Sequence, residues 1–319
     1  MHEFQLINKF FSKLTVNNNS SLNLNDDVFF DRTKNLVVSV DTYIEGIHFF
    51  DFKKPDLVIK KIIRSSISDI ICKGVKPKYY FISGSGNNET FSSSNLRKIS
   101  RSLKQEQNKY NIFLCGGDTV YSNKLSFTIT SIGFSSKILF RNNAKLDDDI
   151  YVTGTLGDSC AGLKILKKKI NTSNSLNRYF VNKYYLPNLH LKLSNKLLSF
   201  ANTSIDISDG LISDLEKLIN KQNLSYRLNL NSIPISKNLN KLLIKKKLDK
   251  ISFISQGDDY QILFTANSSK SRIINKTAKS LGIKISKIGK ICSSIQKSEI
   301  IDQKGYKIAI KNKGYYHQF

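Results

Sequence analysis

The sequence predicts an α+β protein of two domains, each a sheet with covering helices, and three observations lead there. The chain has 319 residues and is 40% hydrophobic, enough for two ordinary cores. Strand-like and helix-like segments are mixed along it without the regular alternation of a doubly wound parallel sheet. It has no internal repeat at a fixed period and neither a G-x-G-x-x-G nor a G-x-x-x-x-G-K-[ST] motif, so repeat, Rossmann and P-loop architectures are not supported.

Leu36 to Val40 reads as a short strand ending at Asp41. Leu57 to Ile71 carries Leu57, Val58, Ile62, Ile63, Ile67, Ile70 and Ile71, a helical spacing. Tyr79 to Ser83 is a strand, Ser92 to Tyr110 an amphipathic helix, and Ile112 to Cys115 and Ser126 to Phe134 are strands. A second unit begins near Arg141, so the expected domains are 1–137 and 138–319. In it, Asp149 to Thr153 is a strand running into Gly154, Gly157 and a helix over Ser159 to Leu166. The Asn-, Ser- and Tyr-rich stretch 171–185 reads as a loop or short helices, punctuated by Pro187. Thr203 to Ile207 is a strand, and Ser208 to Asn220 a helix with Ser213 and Glu216 at capping-box separation. Tyr226 to Leu230 and Ile262 to Phe264 are strands, and Gly289 and Gly305 separate short strands near the end.

Composition excludes several classes. The 50 Lys+Arg against 25 Asp+Glu give a formal charge of +25. Charge alone allows a nucleic-acid-binding protein, because a basic surface releases counterions from phosphates. The basic residues are mostly Lys, however, spread along the chain in short runs such as 167–169 and 245–247, amid abundant Asn, Ile and Ser. An AT-rich coding sequence produces that joint excess, and solvated Lys faces are the expectation. Four Cys in so long a chain make no disulfide scaffold, and with no C-x-x-C pair and four isolated His they spell no zinc cage. No apolar run approaches the roughly 20 residues of a membrane span, and MHEFQLINKFFSKL has no signal-peptide pattern. A cytoplasmic protein is expected.

The acidic residues say more. Nineteen of the 25 are Asp, although Glu is the better helix former. They gather in NDDV (Asn25 to Val28), SVDT (Ser39 to Thr42), SD (Ser68, Asp69), CGGDT (Cys115 to Thr119), IDISDG (Ile205 to Gly210) and QGDDY (Gln256 to Tyr260). Several end apolar strands, where a side chain is aimed into a cleft and a buried carboxylate is costly unless something binds it. Clustered hard oxygens suit Mg²⁺, completed by water and substrate phosphate. Singly, each Asp has an ordinary explanation: Asp27 and Asp118 as turn residues, Asp69 as a solvent-facing helix residue, Asp209 as a helix N-cap. Caps and turns do not require Asp after so many strand ends.

DTYIEGIHF (Asp41 to Phe49), the SD of Asp69, GGDT, VTGTLGDSCAGL (Val152 to Leu163), IDISDGLISDL (Ile205 to Leu215), QGDDYQILFT (Gln256 to Thr265) and GYYHQF (Gly314 to Phe319) occur in that order. In this the chain resembles the thiamine-monophosphate kinases, as does its opening, Glu3 to Phe11. The resemblance covers essentially the whole chain. It implies the aminoimidazole-ribonucleotide-synthetase-like superfamily: two α+β domains, and a homodimer whose N-terminal sheets form a shared barrel. It also implies transfer of the γ-phosphate of ATP onto thiamine monophosphate with several Mg²⁺ ions. Residue by residue, it places metal on Asp27, Ser39, the main chain of Val40, Asp41, Asp69, Asp118, Asp206 and Asp209. It places ATP on Gly117, Asp118, Arg141 and Ser208, and thiamine monophosphate on His48, Asp258 and Tyr315. No general base is implied.

Four positions depart from the family pattern. Asn25 stands for Gly, Val40 for Thr, Asp258 for Glu, and His190 for an Arg; the ending GYDHF is GYYHQF. The other superfamily activities fit less well. A selenophosphate synthetase needs a reactive residue near the N-terminus, whereas the first Cys is Cys72. A hydrogenase-maturation dehydratase needs a C-terminal Cys, and aminoimidazole-ribonucleotide synthetase, the nearest alternative, fits the terminal motif poorly.

Overall fold

The computed structural model describes residues 3–317, so Gln318 and Phe319 of the terminal motif lie outside the described residues. A single turn α1 (Glu3–Leu6) and irregular helical turns lead into the first sheet. Its strands are β1 (Phe29–Asp31), β2 (Leu36–Ile44), β3 (Pro77–Gly86), β4 (Phe113–Gly116), β5 (Thr119–Tyr121) and β6 (Ser126–Phe134). Their order is β1-β2-β6-β3-β4, with β5 also on β3. This sheet is open within the single chain; the barrel that the resemblance implies is not closed by one copy.

The helices of this half are α2 (Pro55–Cys72) and α3 (Ser93–Tyr110). Pro55 at the first turn and Asp56 beside the helix N-terminus start α2. It stops before Gly74, whose φ of +84° and close approach to Leu198 exclude a side chain. α2 packs on β2 and β6 on one side and on elements of the second half on the other. Its polar residues are therefore buried as well: Lys61, Arg64, Ser65, Ser66 and Ser68 all lie inside. Arg64 is satisfied by a two-pronged pair with Glu106 of α3, at 2.8 and 2.9 Å.

The second half contains β7 (Asp149–Thr153), α4 (Asp158–Leu166), α5 (Asn174–Tyr185), α6 (Ser194–Leu197), β8 (Thr203–Asp206), α7 (Leu211–Leu218) and β9 (Leu224–Asn229). It continues with α8 (Lys237–Lys246), α9 (Ile251–Ile254), β10 (Ile262–Ala266), α10 (Ser271–Leu281), β11 (Ile285–Ser293) and β12 (Glu299–Ile301). The sheet order is β12-β9-β11-β7-β10-β8, antiparallel except where β12 joins β9. The largest apolar cluster runs from α2 through Tyr184, Tyr185, Tyr260 and Phe264, so the two halves share a core.

Four expectations are corrected. The strand expected to end at Asp41 runs on to Ile44, because β2 keeps pairing with β6 through Thr42, Tyr43 and Ile44, so Asp41 lies within the strand. The stretch 171–185, expected as a loop or short helices, is irregular over 171–173 and then one twelve-residue helix, α5, because Phe180, Tyr184 and Tyr185 bury one face and outweigh the weak propensity of its Asn and Ser. Ser213 and Glu216 do not cap α7. Gly210 is its N-cap, and the Asp214 carboxylate accepts the Asp209 and Gly210 N–H at 2.9 and 3.0 Å, the task foreseen for the pair. Gly289 does not separate strands but lies inside β11, where the register shifts and the Arg227 carbonyl leaves no room for a Cβ.

Candidate active site

The aspartates meet where the two halves face each other. β2 alternates, sending Ser39 inward and Val40 out, with Asp41 half-buried beyond them. The next helix brings Asp69, whose Oδ2 accepts the Ser39 hydroxyl at 2.6 Å. From the other half, the last residue of β8 supplies Asp206, almost fully buried. Asp41 Oδ2 and Asp206 Oδ2 are both buried and accept no hydrogen bond. Burial lifts the pKa of Asp41 and of Asp206 to about 6, and the Ser68 hydroxyl only partly offsets this for Asp206. Asp69 is raised well above the ordinary range by burial and then by the charges of Asp41 and Asp206. Among the described residues no three carboxylate, imidazole or thiolate side chains form a ready-made metal cage. The orphaned oxygens nevertheless fit Mg²⁺, which takes few protein ligands and needs phosphate and water to complete its shell.

The neighbouring corner is different. Asp27 pairs with Arg141, whose Nε reaches Oδ2 at 3.1 Å, and with Lys73 at 2.7 Å. Lys73 also meets Asp26 at 2.6 Å. The expected metal ligand Asp27 and the expected phosphate ligand Arg141 are thus bound to each other. Likewise Asp209 pairs with Lys217, which also holds Asp214 at 2.8 Å. Ser208 contributes its carbonyl to the Asp258 N–H at 2.8 Å.

Gly117 and Asp118 lie on the exposed side of the first sheet, in the break between β4 and β5. A Cβ on Gly117 would stand 1.7 Å from the Ile82 carbonyl oxygen, so only glycine lets the chain cross there. Asp118 Oδ1 accepts the N–H of Thr119 at 2.8 Å and its side chain is exposed.

The three residues expected at thiamine monophosphate form a second group. His48 Nδ1 accepts the Ile44 N–H at 3.0 Å, which leaves the ring proton on Nε2. Burial, then the nearby His317, lowers the His48 pKa to about 4. Its ring lies 5.3 Å from that of His317, itself 5.0 Å from the ring of Tyr315. Asp258 is near enough to act on the charge of His48, and its Oδ1 takes both Lys61 at 2.5 Å and the Tyr260 hydroxyl at 3.2 Å. Lys61 is buried, with its ammonium 4.1 Å from the centre of the Tyr184 ring. The terminal segment is tied to the aspartates, since the Tyr315 N–H donates to the Asp209 carbonyl at 3.0 Å. His190 is remote in role: it is buried and bonds Gln261 at 2.8 Å.

Lys61, Lys73, Asp214, Lys217, Tyr260 and His317 were not foreseen. Lys61 had no distinguishing signal, since Lys60 stands beside it between Ile59 and Ile62. Lys73 and Lys217 had none amid so many lysines.

A model of the family described as AIR synthase related protein, N-terminal domain, matches residues 25–135. The chain is 34% identical to the thiamine-monophosphate kinase of Buchnera aphidicola, over 99% of this chain and 98% of that one. It is 30% identical to the protein of the same name from Haemophilus influenzae, over 91% and 89%. A solved structure described as AaThiL complexed with AMPPCP and TMP superposes with a TM-score of 0.85 at 25% identity, covering 99% of this chain and 97% of that one. Two mixed sheets enclosing an aspartate cleft therefore define an enzyme of the AIR-synthase-related class, here a phosphotransferase. Within that class the chain belongs to the thiamine-monophosphate kinase family.

Proposed function

We propose that this protein transfers the γ-phosphate of ATP directly to the phosphate of thiamine monophosphate, giving thiamine diphosphate, in a Mg²⁺-dependent, in-line reaction. The observation that carries the mechanism is the pair of buried, unpartnered carboxylate oxygens on Asp41 and Asp206, beside Asp69. Asp41, Asp69 and Asp206 would hold the metal, with Ser39 orienting Asp69, the Val40 carbonyl at the margin and Asp118 reaching in from the exposed turn. Bound Mg²⁺ supplies the positive charge that brings two polyanions together. Asp27 and Asp209 would join only by exchanging their present lysine and arginine partners.

The rest falls to the chain. Gly117 lets backbone approach the nucleotide phosphates, and Ser208 and Arg141 flank them. Arg141 is suited to two-pronged phosphate contact once it leaves Asp27. His48 offers an Nε2 proton and Asp258 its Oδ2 to the thiamine moiety, with Tyr315 closing over it. The acceptor phosphate has a second pKa near 6 and is mostly dianionic at neutral pH, so no residue need remove a proton and catalysis is positioning plus electrostatics.

The proposed division of labour is a nucleotide- and metal-binding part over 1–137 and a part over 138–319 that completes the site. A homodimer is supported by the apolar outer face of the first sheet, where Val40, Phe81, Leu114, Val120 and Phe134 are exposed. Among the described residues no helix is long and apolar enough to cross a membrane. The deciding experiment is incubation of purified protein with ATP, Mg²⁺ and thiamine monophosphate, followed by chromatography. Thiamine diphosphate should appear only when all three are present; its absence would refute the reading.

A further inference from the structure

Lys73 follows the last turn of α2 and is completely buried. Its ammonium lies 2.6 Å from Asp26 Oδ1 and 2.7 Å from Asp27 Oδ2, and donates to the Ser204 carbonyl at 3.2 Å. Three donors meet three oxygens, two of them anionic, which is the kind of oxygen shell a hard cation seeks. The remaining oxygens of this corner are also occupied. Asp26 Oδ2 accepts the Arg141 N–H at 2.9 Å, and Asp27 Oδ1 pairs with the Arg141 guanidinium. Two carboxylates thus face two cations, of which Lys73 is completely buried. A divalent ion entering here would displace an ammonium that has no path to water, leaving a buried charge without a partner. Oδ2 of Asp41 and Oδ2 of Asp206, by contrast, have no hydrogen-bond partner.

We propose that Lys73 is a built-in cation of the active site: its ammonium takes the place of one divalent ion at the Asp26–Asp27 corner, so metal is confined to Asp41, Asp69, Asp118 and Asp206. Because Asp26 and Asp27 lie ahead of the first sheet while Ser204 belongs to β8 of the second, Lys73 also joins the two walls of the cleft before any metal arrives. This inference rests on the metal-dependent reading above and specifies it for this chain.

The test counts ions rather than turnovers. Mn²⁺, as a spin-active substitute for Mg²⁺, is titrated into the full-length wild-type protein and into Lys73→Met and Lys73→Arg, with free Mn²⁺ read by electron paramagnetic resonance. Lys73→Met should bind one more Mn²⁺ per chain than wild type, and Lys73→Arg the wild-type number. Melting temperatures with and without saturating Mg²⁺ keep the test decisive if Lys73→Met is poorly folded without metal. Mg²⁺ should then raise its melting temperature by more than it raises that of wild type. An unchanged Mn²⁺ count in folded Lys73→Met, or no extra stabilisation by Mg²⁺ in an unstable one, would overturn the proposal. If neither protein bound Mn²⁺, the metal-dependent reading would fall and this inference with it.

Discussion

The two carboxylate corners of the cleft are built from the same residue type at similar depth, yet they are in opposite electrostatic states. At Asp26 and Asp27, Lys73 and Arg141 answer each charge within hydrogen-bonding distance. At Asp41, Asp69 and Asp206 there are hydroxyl contacts but, among the described residues, no cation paired with the carboxylates, and burial, then the charges of Asp41 and Asp206, raises the pKa of Asp69. Burial is common to both and so cannot mark the reactive place. What marks it is charge left unanswered, a cost that folding tolerates where a ligand later relieves it. The first corner holds the halves together; the second is the one to which the proposed function assigns metal and phosphate.

The largest expected effect breaks the second corner. Asp206→Asn should lower turnover on the order of a thousandfold or more, about 4 kcal/mol of transition-state stabilisation, while the metal-free protein melts no lower than wild type. Near-normal turnover in the folded variant would remove Asp206 from the metal site. Asp118→Asn should lose rate on the same scale with its fold intact, although that side chain is exposed.

Breaking the first corner should do the reverse. Asp26→Ala leaves Lys73 short of a partner in a buried place and should cost about 3–5 kcal/mol of folding stability by urea denaturation. A loss below about 1 kcal/mol would mean that the corner is solvated, and the contrast with Asp206→Asn would vanish.

The pH dependence of stability separates the corners more finely. Asp41 and Asp206 have folded pKa values of about 6 against an ordinary 3.8. Between those values the folded state holds protons that the unfolded state has lost. Their contribution therefore favours folding below about pH 4, declines as pH rises through 6, and is fully unfavourable above it. In EDTA, the melting temperature of wild type relative to the Asp41→Asn/Asp206→Asn double variant should fall between pH 5 and 7. Mg²⁺ should flatten that trend by competing with the protons. A difference that stayed constant with pH would show that the two carboxyls ionise normally.

The smallest effect concerns His48. Its pKa of about 4 keeps it neutral across the physiological range, so the KM for thiamine monophosphate should show no step from this ring between about pH 5.5 and 8. A ring resonance assigned through His48→Gln and titrating near 6.5 would contradict the burial that sets its state.

Much of this was readable along the chain. Asp149–Thr153 and Ser126–Phe134 have the strand limits that their apolar runs suggest, because a strand between turn residues is bounded locally. The sequence leaves α5 open between loop and short helices because its propensity is poor and its stability comes from Phe180 and Tyr184 meeting a core that is distant in sequence. The cap of α7 escapes the sequence for a related reason: Asp214, inside the helix, reaches back to the N–H of the N-cap Gly210, the half of a capping box usually supplied by Glu. The carboxylates stood out by their clustering in short motifs, although of the site aspartates only Asp206 ends a strand and Asp41 lies within β2.

Residue order alone thus carried most of the elements and the family, which depend on local spacing and motif. It could not say which aspartates are answered by cations. Lys73 is 47 residues from Asp26, and Lys61 is 197 from Asp258. Among 50 basic residues, nothing in their neighbourhoods separates the buried ones from those in solvent. Coulomb interactions fall with distance and grow as water is excluded, and both conditions are created only when the two sheets close on α2.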